Sequence, residues 1–345
     1  MITTSNLRKK RELLASGIHR SGLARLLSGL PERDSLIVLN YHRIGDSEDD
    51  PYLEDVFSAT ANQFEEQVSY LKKHVSVVSL EEALGFIEGE SKESDKRCRV
   101  LITFDDGYLD NYQIAFPILR AHGVEAVFFL ATSLVGSSEV PWWDRIAYAM
   151  KTARRHRFTL RYPSELTVDI GSDGLERSLK AVLAHYKQPR NQDGDLFITE
   201  LITETQSNNL PEASRRFLSW KEAREMAKGG MSIGSHTHSH RVLSQLVRDR
   251  QVEELCKSRN IVTEEVGVRA DVLAYPVGGT ESFTDETQRI AQEAGYRAAF
   301  SFYGGVNGRK NVSPYDVRRV FIGPQSARRF QVQTEVCRHL GKFWP

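Results

Sequence analysis

Two hydrophobic rhythms alternate along the chain. Short, nearly unbroken apolar runs occur at SLIVLNYH (35–42), VSVV (75–78), RVLITF (99–104), VEAVFFLA (124–131), MSIG (231–234), DVLA (271–274), RAAFSF (297–302) and VRRVFI (317–322). Their length and flanking turn residues predict buried strands. Between them lie longer stretches with apolar residues three and four apart: ANQFEEQVSYLKKH, EEALGFIEG, NYQIAFPILRAHG, the segment after Pro141-Trp142-Trp143, SWKEAREMAKGG, LSQLVRDRQVEELCKSRNIVTEE and TDETQRIAQEAG. This is helical periodicity. Thr60 with Gln63, and Ser79 with Glu82, have the spacing of capping boxes that open two of these helices.

Repeated strand–helix units predict an α/β fold with a mainly parallel sheet, open or closed into a barrel. From about 151 to 215 the rhythm breaks into RHRFTLRYPSELTVDI, two further helical stretches and turn residues, read as an insertion carried on the main domain. The domain proper is expected over 35–345. Its length is compatible with one (β/α) barrel bearing an insertion, since such barrels use about 250 residues or more.

Residues 1–34 differ. Leu7, Leu14, Ile18, Leu23, Leu26, Leu27 and Leu30 recur at roughly helical spacing among Arg8, Lys9, Lys10, Arg11, Arg20 and Arg25. A basic amphipathic helix of this kind either packs on the flank of a domain or lies on an anionic membrane surface. It lacks an uninterrupted apolar stretch and a small-residue cleavage site, so a secretion signal is not expected. The expected location is cytoplasmic, with the inner face of the membrane as an alternative.

Charge adds an exclusion. Lys and Arg number 46 and Asp and Glu number 46, so nothing points to nucleic acid as a partner. The three cysteines are far apart and form no CxxC pair, so neither a cysteine zinc knuckle nor a disulfide framework is indicated.

Polar residues gather where predicted strands end, and that is where parallel β/α folds keep their chemistry. Asn40-Tyr41-His42, Asp105-Asp106, His236 to His240, Tyr275-Pro276 and Arg318-Arg319 all stand at or beside such ends. Adjacent carboxylates in ITFDDG must diverge, so one can bind a metal while the other accepts a proton. SHTHSH offers imidazoles at alternating positions. In a strand all three share a face, whereas on a helical turn only His236 and His240 do. Two imidazoles plus one carboxylate form a known catalytic zinc set with an open position.

These residues resemble the polysaccharide deacetylases, the NodB-homology domain of carbohydrate esterase family four. TFDDG (103–107) is similar to the family's first signature and HTHSH (236–240), after GMSIGS, to its second. The resemblance runs from about Leu36 to Gly323. It implies a distorted (β/α) barrel with seven strands and one divalent metal held by Asp106, His236 and His240. Zinc is the expected ion, with cobalt, nickel and manganese as alternatives. Asp105 is implied as general base, in an enzyme that removes acetyl groups from N-acetylated glycans. His238 is left to a supporting or loop-packing role.

The chain departs from the family in two places. Ala274, in LAYPVGG, stands where many members carry the arginine that orients the base, so Arg318 or Arg319 is expected to supply that cation. The late histidine that often protonates the leaving amine is absent from VRRVFIGP. His42 is read either as a cleft residue or as a structural histidine. Trp142, Trp143 and Asp144, in VPWWDRIAYAM, are read as a sugar-binding wall or as packing, and Tyr275 as a backbone contributor to an oxyanion site. The expected partner is an acetylated polysaccharide, oligosaccharide or lipid-linked glycan. Hydrolysis of another amide, such as a cyclic one, and a non-catalytic glycan-binding or assembly role remain as alternatives.

Overall fold

A computed structural model describes Glu12, Gly17 and residues 30–48, 50–90, 97–211 and 215–341. Nearly all of the basic segment, and the centre of the charged loop 89–97, therefore lie outside the described residues. Glu12 accepts hydrogen bonds from the amide and hydroxyl of Ser326. Among the described residues no helix is long and apolar enough to cross a membrane.

The eight apolar runs and one short polar strand form a nine-stranded sheet: β1 (Ser35–Tyr41), β2 (Ser76–Val77), β3 (Cys98–Phe104), β4 (Val127–Leu130), β5 (Ser232–Ser235), β6 (Val272–Ala274), β7 (Ala298–Phe300), the polar β8 (Asn307–Gly308) and β9 (Val320–Phe321). The spatial path β7-β6-β5-β4-β3-β1 is parallel throughout. The segment Val317–Phe321 closes it. At one end Val317 bridges Phe300, and at the other Val320 and Phe321 pair with Leu39 and Asn40. Seven staves thus make a distorted barrel, with β2 and the antiparallel β8 as flanking additions.

Strand alternation sorts the side chains between an inner and an outer layer. Leu36, Val38, Leu101, Val127, Phe129, Val272, Ala274, Ala298, Phe300 and Val317 form one buried cluster, drawn from the staves and joined by Leu84 and Phe86 of the helix Leu80–Ile87. Ile37, Leu39, Tyr41, Ile102, Phe104, Phe128, Ile233 and Val320 alternate with these and pack under the helices. The two expected caps form, and a third joins them: the hydroxyls of Thr60, Ser79 and Ser219 each accept from the backbone three residues on, and the Gln63, Glu82 and Glu222 side chains reply.

The 151–215 stretch holds the hairpin Arg157–Leu160 with Leu166–Asp169, then helices Leu175–Tyr186 and Gly194–Thr205. Phe158, Leu160, Val182, Tyr186, Phe197 and Leu201 share one apolar cluster with Trp142 and Trp143. A further helix, Ala327–Leu340, follows the last strand and is capped by Ser326. Its amphipathic pattern was not among the sequence-based expectations.

Candidate active site

Asp105, His236 and Tyr275 each follow directly on a strand, and their amides continue the ladder to Tyr41, Leu130 and Phe300. Parity decides what comes next. On β1 the inner residues are Leu36 and Val38, so Asn40 also faces inward; on β3 the inner Leu101 puts Asp105 inward. The two meet, with Asn40 Nδ2 donating to Asp105 Oδ2 at 2.9 Å. On the last stave Val317 is inner, so Arg319 points in and Arg318 does not.

Arg319 is fully buried and grips Asp105 through two hydrogen bonds, Nη1 to Oδ1 at 2.7 Å and Nη2 to Oδ2 at 2.9 Å. Its Nε donates to the Ser301 carbonyl, and its guanidinium lies over the rings of Phe129 and Phe302. The inward position on β6, where the family's arginine would stand, is Ala274; the cation reaches Asp105 from two staves further round. Arg318 makes no ion pair with Asp105 among the described residues. Its amide donates to Asn307 Oδ1, and its aliphatic stem packs beside Gly305.

Asp106 leaves the strand by a left-handed turn, at φ 73°, followed by Gly107 at φ 79°. A Cβ on Gly107 would sit 2.9 Å from Leu130 Cδ2, so the third residue of Asp-Asp-Gly must be glycine. This turn separates the two carboxylates. Asp105 stays in the barrel, and Asp106 Oδ1 comes 3.4 Å from His236 Nε2 and 3.2 Å from His240 Nε2.

The histidine stretch is neither strand nor helix. Thr237 and His240 are at φ 64° and 54°, which brings the rings of His236 and His240 to 4.7 Å between centroids. Residues held in this sparsely populated region store strain, and they concentrate at sites. Glu254 fixes the turn by accepting from the amides of His238 and Ser239 and from the Ser239 hydroxyl. His238 turns away, its Nδ1 2.9 Å from Thr132 Oγ1. His236 Nδ1 lies 2.7 Å from the Ala274 carbonyl, a bond that puts the proton on Nδ1 and leaves Nε2 free as a ligand atom.

Asp106, His236 and His240 are buried, and one ligand atom from each lies within 4.8 Å of the others. Asp106 Oδ1 and His240 Nδ1 have no hydrogen-bond partner although both are buried. An orphaned buried oxygen is costly without a further ligand, and Asp106 Oδ1 faces the Nε2 atoms of both imidazoles, where a cation would satisfy it. The donor set, one carboxylate oxygen and two imidazole nitrogens, is of the kind that holds a divalent metal.

Electrostatics set Asp105 apart. Burial would push its carboxyl up, but the Arg319 charge, foremost among its neighbours, outweighs that and holds it below the usual carboxylate range. Asp106 is opposed by burial too, yet the adjacent imidazoles of His236 and His240 hold it well below that range. His42 Nε2 stands 4.0 Å from Asp105 Oδ2, and burial moves the imidazole down despite the nearby carboxylates.

A cavity of about 120 Å³ opens onto these groups. His42, Asp105, Asp106, His236 and His240 make its polar floor; Trp142, Trp143, Leu53, Val56 and Phe302 make its apolar walls. Trp143 packs its ring 4.4 Å from that of His240 and donates from Nε1 to Tyr108 Oη at 2.8 Å. Trp142 stacks on Tyr186 of the 151–215 stretch and donates to the His240 carbonyl. The tryptophans are therefore both wall and support.

Two expectations need correction. Asp144 is fully buried behind the wall and does not line the cavity; it accepts from the Leu53 amide and pairs with Arg216 at 3.2 Å. It sits one position after Trp143 on the helix Trp142–Lys151, so it points to a different face. Tyr275 does line the cavity, but its amide is bonded to the Phe300 carbonyl and so is not free to serve an oxyanion, and its ring stacks on Phe283. Val277, in the left-handed region at φ 63°, and Lys187 also line the cavity; neither was singled out from the sequence.

The sequence model of the family described as polysaccharide deacetylase matches residues 92–299. YxkH of Bacillus subtilis, provisionally named a polysaccharide deacetylase, is 24% identical over 235 residues, which cover 68% of this chain and 55% of that protein. A poly-beta-1,6-N-acetyl-D-glucosamine N-deacetylase of Staphylococcus epidermidis is 31% identical over 119 residues, 31% of this chain and 39% of the relative. The chain thus spans about half or less of the length of these curated relatives. Among solved structures, the Streptococcus pyogenes deacetylase PplD in complex with acetate has the same fold, at a TM-score of 0.56 and 19% identity, over 89% of this chain and 99% of that one. IcaB from Ammonifex degensii superposes with a TM-score of 0.55 at 22% identity, over 88% and 97% of the two chains. With its barrel, its paired carboxylates and the family match over more than half its length, the chain belongs to the polysaccharide deacetylase family.

Proposed function

We propose that this protein is a metal-dependent hydrolase that removes N-acetyl groups from an amino-sugar-containing glycan. The observation that carries the reading is the division of labour within Asp-Asp-Gly. One carboxylate is clamped by Arg319 and Asn40, and its neighbour is turned out towards two histidines, all on one cavity.

Asp106, His236 and His240 would hold the metal, most simply zinc given two imidazoles and a carboxylate. A metal there supplies Lewis acidity to a carbonyl oxygen and makes water a stronger acid. Asp105 takes the proton from the attacking water, and its low pKa keeps it ionised and ready at neutral pH. Arg319 and Asn40 hold its two oxygens in one orientation, so little motion is lost before proton transfer.

His42, neutral at rest because it is buried, relays that proton to the leaving nitrogen from its place 4.0 Å from Asp105. The amide C–N bond breaks, the acyl carbon keeps the oxygen of water as acetate, and the amine stays on the sugar. Trp142, Trp143 and Val56 keep bulk water from the acetyl methyl. Release of acetate from N-acetylglucosamine oligomers by the metal-loaded protein tests the reading. A metal-loaded, folded protein that releases none from any acetylated glycan would refute it.

A further inference from the structure

Beside the catalytic cavity runs a second, shallower groove of about 380 Å³, lined by Phe302, Tyr303, Gly304, Phe321 and Asp55. Phe302 lines both, so the two spaces adjoin across its ring. Tyr303 and Phe321 are 39% and 41% exposed. Single exposed aromatics are ordinary, but three together at the lip of a cavity form a platform.

Each ring of the platform is held by its own contacts. The Phe302 amide donates to the Gly278 carbonyl at 2.6 Å. Gly278 permits that approach: it is at φ +65°, and a Cβ there would lie 2.6 Å from Phe302 Cβ. Tyr303 Oη donates to Asp316 Oδ2 at 2.6 Å, which pins the ring. Phe321 is fixed on β9 by pairing with Asn40 and lies edge-on to Phe302, 5.8 Å between centroids. Gly323 leaves room for it, since a Cβ there would be 2.7 Å from the Phe321 ring.

We propose that this groove is a second sugar subsite, holding the pyranose ring next to the one whose acetyl group enters the cavity. The proposal rests on the glycan-deacetylase reading above. A pyranose presents an apolar face of C–H bonds and a rim of hydroxyls. The faces of Phe302, Tyr303 and Phe321 match the first, and the exposed Asp55 carboxylate accepts from the second. Because the two spaces share the Phe302 wall, the occupant lies beside the sugar whose acetyl group enters the cavity and is a neighbouring unit of the same chain.

The test compares N-acetylglucosamine with its two-, three- and four-unit oligomers on the metal-loaded protein. In the wild type kcat/KM rises from the single sugar to the oligomers by about three- to tenfold, the range that one aromatic contact supplies. Phe321→Ser combined with Tyr303→Ala flattens that rise through KM and leaves turnover of the single sugar unchanged; Phe321→Trp alone preserves it. Length dependence that survives in the double variant overturns the subsite, as does an equal loss on every length. Loss of binding to anionic lipid vesicles in the double variant, with sugar-length dependence intact, would make the patch a membrane contact and also overturn it. A wild type that deacetylates all lengths equally refutes the subsite alone, whereas a wild type inactive on all of them refutes the deacetylase reading and the subsite with it.

Discussion

Arg319 is the residue whose removal has the most specific consequence. It offers Asp105 two hydrogen bonds of 2.7 and 2.9 Å from the buried side of the carboxylate, and its positive charge opposes the burial that would otherwise raise the carboxyl. An opposite charge at this distance lowers a carboxylate by about 1–3 pKa units. Arg319→Met deletes that charge while keeping much of the stem, so Asp105 rises by about the same amount. Because the base works only when ionised, the acid limb of kcat/KM against pH moves upward by about 1–3 units. Arg319→Lys retains a charge but not the two-pronged grip, and shifts the limb less.

Stability follows with a definite sign. In the wild type the depressed Asp105 pKa adds stability that is present above about pH 4 and lost as pH falls through the lower folded value. In Arg319→Met burial goes unopposed by the guanidinium, so the folded pKa moves up and that contribution shrinks. Breaking a buried pair costs about 3–5 kcal/mol at neutral pH, and less in acid where Asp105 can be protonated. Acetate release measured from pH 4 to 9 on metal-loaded, folded protein reads the limb, and denaturant midpoints over the same range read stability. An acid limb that stays in place in Arg319→Met would show that Arg319 does not tune the base.

Three further outcomes follow from neighbouring contacts. His238→Ala retains full metal content and loses no more than about 1 kcal/mol, because His238 gives up one hydrogen bond to Thr132 at a half-exposed position; metal loss on dialysis would contradict its exclusion from the ligand set. Trp143→Ala loses about 3–5 kcal/mol of stability and weakens metal retention, since the ring both fills the wall and backs His240; calorimetry and metal analysis of the same sample separate the two effects. Burial pushes the Asp144 carboxyl up to about 6, so the folded state keeps a proton that the unfolded chain gives up between about pH 4 and 6. Wild-type stability therefore falls across that window by about 3 kcal/mol relative to Asp144→Asn, in which Arg216 still has Asp50 at 3.6 Å; parallel curves would refute it.

The barrel was readable because every stave is an apolar run and the helices between them carry strong caps. TFDDG and HTHSH were readable because the chemistry is compressed into a few consecutive residues. What the sequence left open was a matter of phase. Choosing between Arg318 and Arg319 requires knowing that Val317 faces the interior, a fact set by how the last stave pairs with β1 and β7. Asn40 carried the same latent signal, as the polar residue two positions after Val38 on an inward-facing row, but it looked like the polar end of a strand. Asp144 misled for the converse reason: beside two tryptophans it resembled a sugar ligand, while helix geometry sends it to Arg216 and Leu53. Lys187 and Phe302 reach the cavity through tertiary folding alone, and no local pattern announces them.

The bent path of residues 236–240 answers what spacing could not. Alternate histidines in a straight strand would have shared a face, but positive φ at Thr237 and His240 folds the first and last ring together and sends the middle one to Thr132.

The central claim is that adjacent aspartates divide metal holding from proton transfer, and Asp105→Asn tests it most directly. Metal content and acetate release are measured together on wild type, Asp105→Asn and Asp106→Asn. The account predicts that Asp105→Asn binds metal like the wild type yet loses turnover by at least about a hundredfold, the usual worth of a general base, while Asp106→Asn loses the metal. An Asp105→Asn protein that keeps wild-type turnover, or an Asp106→Asn protein that keeps its metal, would contradict it.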